Sequence, residues 1–511
     1  MYWVCVVGTI LGFIAAMGIG ANDVANSFAT SVGSKTITVF QAMIIAGIFE
    51  FSGAVGLGSG TTDTIRKKIV NIDVFESRPD VLMIGMLCSI AATAIWLIVA
   101  SMMGLPVSTT HSTIGAIIGF ALCMPNGGDI VNWTFAGKGF FYNMAAWGVA
   151  PGVTGIVSAI FYILVRTFIL RKEDSFRRTQ TFFPLIVGIT KFVVSFLVMN
   201  KAGSGKGWNK TIGDWGMVGI AAGCGVVAAI IVRIIFVPKM RANLENVTDD
   251  SVAFVDDAEK GDEEVEVAKG GNAFMRMMNA KNEKLHTITD KRTQAVHDNA
   301  EKFELRTELA FGYIQVFTAC AMSFAHGSND AANAVGPLAS IVGLYNSNGI
   351  VSSKAPVDIW ILAMGGAGIV VGLGTLGYKV MKALGVNLVK MTAARGSCIE
   401  LASAFVVCFG SYAKLPLSTT QVMVGGSLGV GLIDGGNKGV NMFFLAKIFL
   451  GWMFTFIVAG SISGALFSLV FYAPSVSLPL AQQTCLGNFG ETNAITNLTT
   501  VVGNFTNGAL F

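Results

Sequence analysis

Charge is what this sequence has least of. Only 13% of its 511 residues are Asp, Glu, Lys or Arg, where an ordinary soluble protein carries about a quarter. With 53% hydrophobic residues beside that deficit, an aqueous globule is excluded and the apolar excess needs lipid. Proline is also scarce, at 11 residues against 61 Gly. Small residues in apolar stretches let helices approach closely in a bilayer, where burying hydrocarbon gains nothing. No surplus of one charge sign exists either, since the net charge is only +4 and is spread over loops, so nucleic acid is not expected as a partner. The eight cysteines form no CxxC pair and no metal-ligand spacing; Cys5, Cys88, Cys224, Cys320, Cys398 and Cys408 lie inside apolar runs and read as small core residues. No nucleophile and base pair stands out, so an enzyme is not expected, nor a cofactor.

What is present is a series of apolar runs, each long enough to cross about 30 Å of hydrocarbon with roughly twenty residues. They cover 3–20, 37–58, 81–103, 107–124, 140–169, 184–200, 216–237, 308–327, 357–380, 397–413, 416–432 and 442–472. The fold class expected is therefore an all-α polytopic membrane protein with about twelve transmembrane segments. The Ser/Thr-rich segments near 107 and 417 could instead be re-entrant or broken helices. The first run lacks a basic flank and a small-residue cleavage site and reads as a membrane segment, not a signal peptide. Between 239 and 307 the composition turns to Lys, Glu and Asp, including the acidic stretch Asp256 to Glu266, which predicts a solvated loop that could carry one surface helix.

Basic loops stay in the cytoplasm. Arg171, Lys172, Arg177 and Arg178 form one such loop and the central segment another, which places both termini outside; Arg66, Lys67 and Lys68 run against that count. The sequons at Asn209, Asn497 and Asn504 fall on the outer side and predict a glycoprotein of the plasma membrane, while the one at Asn246 falls in the cytoplasmic loop.

The chain repeats itself. Gly20-Ala-Asn22-Asp23-Val-Ala-Asn26 returns as Gly327-Ser-Asn329-Asp330-Ala-Ala-Asn333, and Leu105-Pro106-Val-Ser108-Thr109-Thr110 returns as Leu415-Pro416-Leu-Ser418-Thr419-Thr420. Gly56-Leu-Gly58 returns as Gly372-Leu-Gly374. The first copy starts before the first crossing and the second after the seventh, so an odd number of spans turns one copy over. Such inverted-topology repeats place a substrate site at their interface near mid-membrane. The segments expected are 1–169 as the first repeat, 170–238 as two connecting helices, 239–307 as the charged cytoplasmic loop, 308–472 as the second repeat and 473–511 as an extracellular tail.

Asp23 and Asp330 each read as lying at the end of an apolar helix, where an ionised carboxylate is costly unless it meets a cation or water. Asn22, Asn26, Asn329 and Asn333 add amide oxygens, hard ligands suited to Na⁺. The metal site expected is Na⁺ at Asp23, Asn26, Asp330 and Asn333. The competing reading is helix capping or interhelical hydrogen bonding, which two matched copies make less favourable. In each Pro-x-Ser-Thr-Thr block the proline starts a helix, and the first-turn hydroxyls and N–H groups form an anion cradle. Ser108, Thr109, Thr110, Ser418, Thr419 and Thr420 are thus candidates for holding a small oxyanion, with His111 and Gln421 behind them as further donors. Hydroxyls bonding back to their own helix are the alternative. Glu50 and Glu400 lie inside apolar runs and His326 precedes the second motif; a coupling or gating role is the default for such groups, and a structural ion pair the alternative.

These motifs, GANDVANS and HGSNDAANAVGPLA with the two P-x-S-T-T blocks, resemble the inorganic phosphate transporter family called PiT. The resemblance covers residues up to about 237 and from 308 to about 472. It implies a symport of inorganic phosphate with Na⁺ by alternating access, with functional acids at Asp23, Asp330, Glu50 and Glu400 and a functional histidine at His326. Ser27 stands where the family usually has Ala. H⁺-coupled uptake of phosphate or a related oxyanion, a phosphate-sensing receptor and an anion channel are the alternatives. A homodimer is left open.

Overall fold

The structure is a computed structural model, and its description covers residues 1–58, 69–135, 139–206, 211–245, 247, 273–351, 357–412 and 417–472. Arg66 to Lys68, the acidic stretch, Pro416, the sequon asparagines and the tail from 473 lie outside the described residues. The protein is all-helical, as the composition requires. In hydrocarbon every backbone N–H and C=O must be met within the chain, which a helix does by itself.

Among the described residues ten helices are long and apolar enough to span a bilayer, and two apolar runs make shorter ones. The first half holds α1 (Tyr2–Gly33), α2 (Val39–Leu57), α3 (Pro79–Met102), α4 (Thr109–Leu122) and α5 (Phe140–Leu170). Then come α6 (Ser175–Lys206) and α7 (Gly213–Leu244), followed by α8 (Ala273–His286) and α9 (Lys291–Asp298) of the central segment. The second half holds α10 (Leu305–Asn346), α11 (Ile359–Asn387), α12 (Ala393–Tyr412), α13 (Thr419–Gly435) and α14 (Met442–Tyr472). The shorter pair is α4, with 14 residues, and α13, with 17. At 1.5 Å per residue they reach about 21 and 26 Å, short of the hydrocarbon thickness. Their starts are fixed locally: Ser108 caps α4 by accepting from His111 N at 3.2 Å, and Ser418 caps α13 by accepting from Gln421 N at 3.5 Å.

The two halves pack in matching ways. α1 lies against α3 and α11, while α10 lies against α12 and α2; α4 packs on α14 and α13 on α5. Glycine makes the last two contacts close. A Cβ on Gly119 would sit 2.1 Å from the carbonyl of Gly460, and one on Gly429 would sit 2.1 Å from that of Gly155. Each glycine follows another one helical turn earlier, Gly115 and Gly425, the small-xxx-small arrangement that substitutes for hydrophobic driving force in lipid.

The expectation that Asp23 and Asp330 end their helices is not met. α1 runs on past Asp23 to Gly33 with a π-type turn at Gly20–Val24, and α10 runs on past Asp330 to Asn346. The helices need not break to solvate these acids, because hydroxyls of other helices reach them. π-type turns are frequent at functional sites. The central segment also carries more order than one surface helix. α8 packs against α2 and α11, and from α9 His297 Nε2 meets the Val386 carbonyl at 2.9 Å. Beyond α9, Glu301 accepts from Arg171 (2.8 and 2.9 Å) and Arg166 (3.5 Å) of the first half, and its carbonyl accepts from the buried Arg395 at 2.6 Å. The Arg171 guanidinium holds the Glu301 carboxyl below its ordinary range.

Candidate functional site

The repeated motifs meet at one place inside the bundle. Asp23, on the π-type turn of α1, accepts through Oδ2 from the Thr109 hydroxyl at the start of α4 and through Oδ1 from the Thr420 hydroxyl at the start of α13. Its counterpart Asp330, midway along α10, accepts from the Thr419 hydroxyl at 2.6 Å and from Asn333 Nδ2 at 3.0 Å. The asparagines divide by position. The second of each motif reaches into the opposite half: Asn26 Nδ2 donates to Thr420 at 2.8 Å, and Asn333 Nδ2 donates to Thr109 at 3.1 Å and Thr110 at 3.2 Å. The first of each ties down the loop before its own half's short helix. Asn22 donates to the Leu105 carbonyl at 3.0 Å and to Ser101 at 3.2 Å and accepts from Val107 N at 2.9 Å, while Asn329 donates to the Leu417 carbonyl at 3.5 Å.

Asn22 is therefore engaged at both ends of its amide in holding a loop. Asn26 Oδ1 has no partner among the described residues and is free to face an ion. The ligand atoms of Asp23, His326 and Asp330 lie within 4.8 Å of one another, and all three residues are buried. Two carboxylates so close repel, and burial adds to the cost; a cation or a shared proton offsets both.

Glu50 and His326 belong to the same constellation. His326 Nδ1 lies 2.5 Å from Glu50 Oε1 and its Nε2 lies 3.2 Å from Asp330 Oδ2, while Ser323 donates to Glu50 Oε2 at 3.2 Å. Glu50, His326 and Asp330 thus form a continuous chain of ionisable groups, with His326 in mid-helix and not at a helix end. Glu400 is elsewhere. Its oxygens accept from Thr30 and Ser31 of α1 and Thr318 of α10, each at 2.5 Å, and from Gln315 at 3.3 Å, which makes a second buried polar cluster. The His111 ring packs on Trp147 with centroids 4.0 Å apart. Gln421 has a buried Oε1 with no partner among the described residues.

Sequence reasoning did not single out Ser101, Ser323, Thr30, Ser31, Gln315 or Thr318. Ser101, Ser323, Gln315 and Thr318 are polar inside apolar runs, and Gln315 and Thr318 are one turn apart, a signal that was available; Thr30 and Ser31 lie between the first two runs. Nor did it find that Gly115 and Gly119 return as Gly425 and Gly429 at the same offset as the Ser-Thr-Thr blocks.

Comparison with known proteins fits this geometry. The model of the phosphate transporter family matches residues 19–463, from just before the first acid motif to within α14. The chain belongs to that family. Among its relatives, the phosphate-repressible phosphate permease of Neurospora crassa is 30% identical, over 92% of this chain and 97% of its own length. A phosphate permease assigned in Haemophilus influenzae is 33% identical, over 92% and 96%. The chloroplastic inorganic phosphate transporter 2-1 of Arabidopsis thaliana is 32% identical, over 89% and 70%. A solved structure titled as the sodium-dependent phosphate transporter superposes with a TM-score of 0.72 at 29% identity, covering 93% of this chain and all of that one. Like these family members, the chain is a membrane protein of the transporter class and not an enzyme.

Proposed function

We propose that the protein carries inorganic phosphate across a membrane together with Na⁺ by alternating access. The observation that carries this reading is the crosswise bonding of the two motifs: Asp23 takes hydroxyls from both short helices, and Asn26 and Asn333 each reach into the other half. Two helix starts bearing Ser108, Thr109, Thr110, Ser418, Thr419 and Thr420 therefore face one pair of acids. N-terminal N–H groups and hydroxyls suit an oxyanion, while Asp23, Asp330, Asn26 and Asn333 offer hard oxygens to Na⁺. None of the six hydroxyl residues is itself cationic, so co-transported cations add positive charge that makes anion binding more favourable. Affinity for one ion then depends on the other, which is the physical requirement for coupling.

In this reading residues 1–169 and 308–472 are inverted repeats joined by 170–238 and the segment 239–307. The matching packing of α4 on α14 and α13 on α5 supports it. A single site between two mirrored halves can open to either side when one set of contacts is exchanged for its counterpart. The chain Glu50, His326, Asp330 favours a second reading, in which a proton replaces one sodium ion. Radiolabelled phosphate uptake into proteoliposomes at fixed pH separates the two. Uptake that needs an inward Na⁺ gradient is the expected result; uptake indifferent to Na⁺ and driven by a pH gradient would replace the sodium reading with the proton one.

A further inference from the structure

On the face that carries the central segment lies a cavity of about 570 Å³ that the transport reading does not use. Its wall bears Lys284 and Thr287 of the central segment, Lys379 and Lys382 of α11 and Lys447 of α14, and the loop 103–105 forms its floor. Among the described residues four lysines line it and no carboxylate does. Among the described residues none of the four has a carboxylate ion pair; Lys379 Nζ donates to the Met102 carbonyl at 2.9 Å and Lys382 Nζ to the Lys284 carbonyl at 2.8 Å. Main-chain carbonyls orient these ammonium groups without neutralising them, and each ammonium has three donors, so positive charge and donors remain for a ligand.

The volume is that of a pocket for a drug-sized ligand, about 300–1,000 Å³, more than a lone phosphate ion fills. The surroundings indicate where such an anion comes from. On α14, Lys447 shares a helix face with Phe443, Leu450, Phe454 and Ile457, all more than half exposed. In a membrane helix those side chains meet acyl chains, so the mouth of the pocket opens beside lipid. Basic pockets between transmembrane helices take phosphorylated lipid headgroups for this reason.

We propose that this lysine pocket binds the headgroup of an anionic membrane lipid carrying more than one phosphate. The acyl chains lie along the exposed face of α14, and the phosphoesters take donors from Lys284, Lys379, Lys382 and Lys447. Neither Asp23 nor Asp330 lines the pocket, and binding there can be read without transport, so the proposal stands or falls independently of the transport reading.

The test is titration of the purified full-length protein with short-chain phosphatidylinositol bisphosphate, read by thermophoresis, beside short-chain phosphatidylcholine, soluble inositol trisphosphate and inorganic phosphate as competitor. The bisphosphate lipid is expected to bind and phosphatidylcholine not. Neutralising a lysine weakens binding about fivefold, the equivalent of about 1 kcal/mol, so Lys284→Gln with Lys447→Gln should lose more than either alone. Lys302→Gln, exposed and outside the pocket, should bind as wild type, and unchanged elution and melting show that the variants fold. Equal binding by wild type and the double variant overturns the proposal. Displacement of the lipid by inorganic phosphate would make the pocket a vestibule for cargo, and soluble inositol trisphosphate binding as tightly as the lipid would assign it to a soluble polyphosphate; either result overturns the lipid assignment.

Discussion

At the scale of single residues, neighbours in one motif hold different jobs. Asp23 accepts two hydroxyls from two helices, so Asp23→Asn removes the charge those donors serve and the charge the proposed Na⁺ site needs. Hydrogen bonds to charged groups contribute about 1.5–3 kcal/mol each; loss of one lowers uptake about 10- to 150-fold, measured as initial rate in proteoliposomes. Asn22→Ala, one position away, removes the amide that clamps Leu105 and Val107. Its effect should be a loss of about 1–3 kcal/mol of stability, seen as a lower melting temperature in detergent, with the Na⁺ concentration for half-maximal uptake unchanged. A raised half-maximal Na⁺ concentration with unchanged melting would instead make Asn22 a ligand. The sequence shows both residues as one NDxxN cluster because spacing records which residues share a helix, not which atoms are already engaged by a loop from elsewhere.

At the scale of helices, α4 and α13 depend on backbone contact through glycine. Gly119→Leu or Gly429→Leu would drive a side chain into the carbonyl of Gly460 or Gly155. Overpacking of this kind costs about 1–3 kcal/mol and sometimes more, and it displaces the helix start that faces the acids; a thermal shift assay should show matched losses for the two variants. The docking of α9 carries a pH dependence. Burial holds His297 below the ordinary imidazole range, opposed by its contact with the Val386 carbonyl and by Asp298, and assisted by Lys390 and Arg395. An undocked His297 then takes a proton at a pH where the docked one does not. Docking is at full strength above the ordinary pKa of about 6.5 and weakens as pH falls from there toward the lower docked value. Hydrogen exchange of residues 287–304, corrected for intrinsic rates, should rise over that window, and His297→Gln should abolish the rise. The apolar runs foretold each spanning helix among the described residues, since runs of about twenty apolar residues are too long for barrel strands and satisfy their backbone in lipid as helices. The docked helices α8 and α9 were not legible, because a charged segment packed on a membrane protein has the same composition as a solvated one.

At the scale of the whole molecule, the proposed symport of phosphate with Na⁺ runs either way. Liposomes preloaded with phosphate and given an outward Na⁺ gradient should release phosphate faster than those without a gradient, and the Asp23→Asn variant should not respond; release equally fast in both conditions would describe a channel. By itself the sequence determined that the protein lives in a membrane and is helical, because apolar excess and missing charge admit no other solvent. It also showed that two acid motifs and two hydroxyl blocks recur, because repetition is a property of order alone. Only the tertiary structure decided that Asp23 bonds to Thr420 and Asn333 to Thr109, each across the two halves, and that Glu50 joins Asp330 through His326 while Glu400 does not. Apart from His326 and Asp330, which are one turn apart on α10, those partners are hundreds of residues apart in the chain. Proximity of that kind is set by which helix faces pack, which no local pattern encodes.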